Sequence, residues 1–106
     1  MGKRVITFGT FDIFHIGHLN IIKRACALGS ELIVGVSTDE LNFSKKSHHT
    51  IYREAERLEI IKNIRGVTEV FFEESLDLKR SYILKYKADI LTPITLKQHP
   101  ADSGKF

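Results

Sequence analysis

The sequence predicts a doubly wound α/β domain built on a parallel sheet. Three observations carry that prediction. Apolar runs of strand length alternate with segments of helical period through the first 91 residues. The run Glu31–Ser37 (ELIVGVS) is apolar almost throughout, as in a strand covered on both faces. A glycine closes the first strand where a strand gives way to a helix, the place where open α/β sheets bind ligands.

Arg4–Phe8 (RVITF) is a short β-branched and aromatic run closed by Gly9, which reads as a buried strand and a turn. From about Ile16 to Leu28, Leu19, Ile22 and Cys26 recur at i, i+3, i+7, and Gly29 stands where a C-cap glycine belongs. With Glu31–Ser37 these make one βαβ unit. Thr38–Tyr52 is polar and without sustained period, so it reads as a long functional loop. Leu58, Ile61 and Arg65, with Ile60 and Ile64, set a second helix over Arg53–Arg65, ending at Gly66. Thr68–Phe72 reads as a third strand, Leu76–Tyr86 as a third helix, and Ala88–Leu91 as the start of a fourth strand. Residues 1–91 are therefore expected to form the domain. Residues 92–106, TPITLKQHPADSGKF, carry Pro93 and Pro100 and are expected to form an irregular tail.

Composition narrows the function. Hydrophobic residues at 42% and charged residues at 27% argue against disorder, collagen and low-complexity classes. The single cysteine, Cys26, excludes an internal disulfide and a CxxC zinc site, and its place on the helical stripe reads as inert packing. No run approaches the ~18 apolar residues of a membrane span, and MGKRVITFGTFD lacks a signal peptide's apolar stretch. A cytoplasmic protein without membrane partners is expected. The net charge of +3 comes from 16 Lys and Arg against 13 Asp and Glu. All of it lies in residues 1–53, which hold seven basic and four acidic residues, with nine of each beyond. That excess is too weak to imply nucleic acid, and a phosphorylated small molecule fits it.

The chemistry concentrates in Gly9-Thr10-Phe11-Asp12-Ile13-Phe14-His15-Ile16-Gly17-His18. Gly9 permits close backbone approach, and the N–H groups of the helix start form an anion site. His15 and His18, three apart, project from one side of the first turn, with His18 expected to face a wet pocket. Gly17 between them leaves room for a phosphate or ribose. Donors and cations of this kind suit nucleotidyl transfer, in which one phosphate attacks the α-phosphorus of a nucleoside triphosphate. The nucleophile is already an anion, so positioning and charge stabilisation matter more than a general base. An ion shared by Asp12, His15 and His18 is a weaker reading, with no further ligand evident, and no metal residue is assigned.

GTFDIFHIGH resembles the signature of the HxGH nucleotidylyltransferases, and its extended form resembles their cytidylyltransferase branch. Ser37-Thr38-Asp39-Glu40-Leu41-Asn42 with Lys45 and Lys46, RLEIIKNIRGVTEVFFEE, and LDLKRSYILKYKADIL are similar to the glycerol-3-phosphate cytidylyltransferases in particular. The resemblance covers about residues 3–91 and implies a Rossmann-like fold of this superfamily. It implies that Gly9, Thr10, Phe11, His15, Gly17, His18, Lys45 and Lys46 bind nucleotide, with His15, His18 and Lys45 catalytic. Arg57 and Asp39 would bind substrate. The implied partners are CTP with Mg²⁺ and a small phosphorylated alcohol, the implied product is CDP-glycerol, and the implied assembly is a homodimer. The family continues after its fourth strand with a Gly-Asp turn, a fifth strand and an RTxGISTT segment that closes on the phosphates. TPITLKQHPADSGKF matches none of these, so the fold is expected to be C-terminally incomplete. Two alternatives follow: a nucleotide-binding remnant without turnover, or transfer to another phosphorylated alcohol, sugar or flavin. Phe8, Phe11 and Phe14 read as core and pocket wall, His48 and His49 as exposed, and Glu73-Glu74 as a solvated strand end.

Overall fold

The computed structural model describes residues 2–47 and 49–92. Four strands form one wholly parallel sheet: β1 (Arg4–Gly9), β2 (Glu31–Ser37), β3 (Glu69–Glu73) and β4 (Ile90–Leu91), in the order β3-β2-β1-β4. Between them run α1 (Ile16–Cys26), α2 (Asp39–Lys46), α3 (Glu54–Lys62) and α4 (Lys79–Lys85).

Alternation along the strands explains why both faces are covered. Val5, Leu32, Val34 and Val36 point to one face, where they pack with Ile22 and Ala25 of α1 and Ile61 of α3. Ile6, Phe8 and Ile33 point to the other, against Tyr82 and Ile83 of α4 and Tyr86 beyond it. The doubly wound arrangement is therefore present. Chain progression reverses at β1, which has β2 on one side and β4 on the other. The crevice above that reversal is where such sheets admit ligands.

The structure corrects several boundaries. Thr38–Tyr52 is not one loop, because Asp39–Lys46 is helical. Thr38 caps it, its hydroxyl accepting the Leu41 N–H at 3.1 Å, with Asp39 and Glu40 in the first turn and Ser47 closing it in the left-handed region. Gly29 is not the C-cap of α1, a place taken by Ala27. Its lack of a side chain serves close packing instead, since a Cβ there would lie 2.4 Å from the Lys3 carbonyl oxygen. The third helical stretch opens with a short 3₁₀ turn, Leu76–Leu78, before α4. The β3 strand runs one residue later than expected and ends in Glu73, which is buried, not solvated; Glu74 is exposed. In β4 only Ile90 and Leu91 are assigned to the strand, although Thr92 N–H still donates to Ile6 O at 3.1 Å. The tail from Pro93 onward lies outside the described residues.

Candidate functional site

The loop leaving β1 is built by backbone geometry that few side chains tolerate. Phe11 and Ile13 adopt φ of 56° and 47°, in the left-handed region. The turn at Phe11 folds its ring back over the strand end, where it is 3% exposed and joins the core. A Cβ on Gly9 would meet that ring at 2.9 Å. Gly9's lack of a side chain thus makes room for the Phe11 ring. Asp12 turns the other way and staples the loop to the approach of α3. Its Oδ2 accepts the Ile51 N–H at 2.7 Å and its Oδ1 the Tyr52 N–H at 2.8 Å.

The two histidines cap the helix they begin. His15 is the N-cap of α1, and its Nδ1 accepts the Gly17 N–H at 3.0 Å. His18 Nδ1 accepts the His15 N–H at 3.1 Å. The Gly17 and His15 N–H groups are therefore taken by the imidazoles. A nitrogen that accepts carries no proton, so each ring is held as its Nε2–H tautomer, with Nε2 as the remaining donor. The rings lie 4.1 Å apart between centroids. His18 is 6% exposed. It stacks on Phe14 at 5.4 Å and meets the edge of Phe11 at 5.8 Å. Burial, and next the neighbouring His15, push the His18 pKa below 6.5, against an opposing pull from Asp12. No acidic side chain stands in the first turn of α1, whose end is capped by the two imidazoles.

Arg57 is 0% exposed and acts as the hub of the site's scaffold. Its Nε donates to Tyr52 O at 2.9 Å, and one terminal nitrogen to Thr10 O at 3.0 Å and Ser37 O at 2.7 Å. The other donates to Asp39 Oδ1 at 2.6 Å. Three separate segments, the ends of β1 and β2 and the entry to α3, thereby share one guanidinium. Asp39 also accepts the Glu54 N–H at 3.3 Å, and the Thr50 hydroxyl lies 3.1 Å from it. Burial alone would raise the Asp39 pKa, but Arg57, the Glu54 N–H and Thr50 together bring it below 3.8.

Thr10 belongs to a second polar group. Its hydroxyl donates to Asn42 Oδ1 at 2.9 Å and lies 3.2 Å from the Ser37 hydroxyl. Asn42 and Thr50 were absent from the sequence-derived site. Thr38-Asp39-Glu40 was the available signal, since a hydroxyl followed by acids marks a helix start and sets Asn42 inward. Lys45 is exposed on α2, the same helix that carries Lys46. The structure brings Thr10, Asp39 and Arg57 together through direct contacts, and His15 and His18 with Gly17. Among the described residues no group of three or more His, Cys, Asp or Glu side chains is arranged to hold a metal ion. An open groove of ≈ 720 Å³ lies elsewhere, lined by Tyr52, Ala55, Glu56, Glu59, Ile60 and Asn63. It contains none of the predicted site residues.

Comparison with known proteins places the chain in a family. The profile of the cytidylyltransferase-like family matches residues 6–99. The chain is 47% identical over 89 residues to a glycerol-3-phosphate cytidylyltransferase of Bacillus spizizenii, covering 82% of this chain and 67% of that protein. It is 38% identical over 88 residues to an FAD synthase of Pyrococcus abyssi, covering 83% of this chain and 60% of that one. The chain thus spans about two thirds or less of the length of these relatives. A lipopolysaccharide core biosynthesis protein from Thermoplasma volcanium superposes with a TM-score of 0.77 at 28% identity, over 86% of this chain and 73% of that chain.

Proposed function

The chain belongs to the cytidylyltransferase-like family, and from that premise we propose that it transfers CMP from CTP to sn-glycerol 3-phosphate. A phosphate oxygen of the acceptor forms the new bond to the α-phosphorus. The bond from that phosphorus to the α,β-bridging oxygen breaks, and pyrophosphate leaves with the bonding pair. The nucleotide enters as its Mg²⁺ complex, which offsets charge on the triphosphate.

The observation that carries the reading is the pair of imidazoles locked by backbone N–H groups as Nε2–H donors at the start of α1. Donors fixed before reaction need no reorganisation as charge grows on the α- and β-phosphates, and losing one such donor costs about 10²–10³ in rate. Lys45 and Lys46 add cationic charge from α2, while Gly9, Thr10 and Phe11 shape the nucleotide wall. Asp39 and Arg57 act by holding the segments on which the substrates rest.

The 47% identity to a glycerol-3-phosphate cytidylyltransferase supports glycerol 3-phosphate as acceptor. The 38% identity to an FAD synthase supports a second reading, adenylyl transfer to a flavin phosphate. Pyrophosphate release from CTP or ATP, each with glycerol 3-phosphate or FMN, separates them. Release with CTP and glycerol 3-phosphate alone is expected. Release only with ATP and FMN would replace the first reading by the second, and nucleotide binding by calorimetry without release would make the chain a binding remnant.

A further inference from the structure

Thr10, where the chain leaves β1, and Ser37, at the end of β2, are each held twice. Arg57 takes their carbonyls at 3.0 and 2.7 Å. Asn42 takes their hydroxyls, its Oδ1 accepting from Thr10 at 2.9 Å and from Ser37 at 3.4 Å, while the two hydroxyl oxygens stand 3.2 Å apart. Asn42 is 1% exposed and closes the first turn of α2, where its N–H donates to Thr38 O at 3.0 Å. An asparagine so near a helix start ordinarily bonds the backbone of its own turn. This one reaches across 32 positions to Thr10 instead. Burial requires the amide to be bonded, but it does not choose these partners. The partners differ in one respect: Ser37 is sealed at 1% exposure, whereas Thr10 is half-buried beside the crevice at β1.

We propose that Asn42 is a positioning residue for the transfer, acting through Thr10, whose hydroxyl it fixes at the edge of the nucleotide wall. The inference rests on the proposed CMP transfer and adds to it a residue that touches neither substrate. A threonine side chain has three staggered rotamers. The bond to Oδ1 selects the one that carries the oxygen toward α2, so the wall presents a single shape to the incoming nucleotide. Arg57 fixes the backbone of the same residue from the other side, which leaves the side-chain torsion as the freedom that Asn42 removes. A displacement of about 1 Å in a positioning group can cost about 10²-fold in rate, so the loss of one such bond is legible in turnover as well as in stability.

The test is a double-mutant cycle on the full chain with CTP and glycerol 3-phosphate, using Asn42→Leu, Thr10→Val and the pair together, with kcat/KM for CTP and the thermal midpoint measured for each. Both single variants are expected to lower kcat/KM by about 10-fold to 10²-fold. The double variant is expected to fall no further than the weaker single, because the amide works through the hydroxyl that the second substitution removes. Asn42→Ser, whose shorter side chain does not reach Thr10, replaces the leucine in the same cycle should that variant not fold. Three results overturn the inference and leave the proposed function standing: a double variant whose loss is the product of the two singles, a Thr10→Val variant as active as wild type, or an Asn42 variant that loses thermal stability with kcat/KM unchanged. If wild type releases no pyrophosphate, the proposed function fails and the same cycle is read on CTP binding by calorimetry. Non-additive losses in Kd then support the coupling, and additive losses or absent binding overturn it.

Discussion

Arg57→Met removes every donor of the buried hub and keeps most of its aliphatic volume. Three carbonyls, Tyr52 O, Thr10 O and Ser37 O, lose their partner at 2.7–3.0 Å, and Asp39 loses its counter-charge at 2.6 Å. Each buried acceptor left bare costs about 1–3 kcal/mol. The Asp39 end costs less, because its side chain is 39% exposed and water can replace the guanidinium. With partial relaxation, a total of about 3–5 kcal/mol is expected, the range for breaking a buried pair. For 106 residues the unfolding entropy is about 0.22 kcal/mol/K, so the thermal midpoint should fall by about 13–23 °C. Differential scanning calorimetry of wild type, Arg57→Met and Asp39→Asn measures this directly. A midpoint within about 4 °C of wild type, together with a raised acceptor KM, would refute the hub and make Arg57 a group that touches substrate.

Four further outcomes are expected. His18→Ala should lower turnover about 10²–10³-fold and also cost about 1–2 kcal/mol of stability, because the ring caps the His15 N–H and packs between Phe11 and Phe14. Turnover should fall on an acid limb centred below pH 6.5, since His18 must stay neutral for Nδ1 to accept; its unfolded state binds the proton first, so stability also declines as pH drops below 6.5. The Asp39 carboxyl has a folded pKa below 3.8, so its contribution is present above that pH and is lost as pH falls through the folded value. Asp39→Asn should therefore flatten the acid unfolding curve in that window. Thr38→Ala should cost about 1 kcal/mol and speed amide exchange at Leu41, whose N–H the threonine holds.

The alternation of apolar runs and helical periods was enough to read four parallel strands, because strands covered on both faces leave an unbroken apolar signature. It missed α2, since eight residues with little apolar stripe give no period to detect. The cap at Thr38 and the acids after it were the physical signal. Gly29 misled because a glycine's lack of a side chain serves close approach as readily as a left-handed turn. GTFDIFHIGH was legible as a set of candidate residues, yet which of them cap, staple or pack was not. Arg57 and Glu73 are charged and hydropathy places them at the surface; only the third dimension supplies the carbonyls and the ammonium that let them be buried. The imidazoles' role as caps depends on where the helix begins, a boundary that periodicity fixes poorly.

The Asp12 staple has a consequence for how this chain can diverge. Asp12 holds Ile51 and Tyr52 from 39 and 40 positions away, so the chain re-enters α3 at a point set by β1 and not by the length of the path in between. Residues added or lost between Ser47 and Thr50 change only the slack of a segment pinned at both ends, and doubling such a loop costs about 0.6 kcal/mol. Descendants can therefore lengthen, shorten or recharge the stretch beside Lys45 and Lys46 while Arg57 and Asp39 keep their register. That stretch is one place where the chain can change without disturbing the Arg57–Asp39 contact beside it.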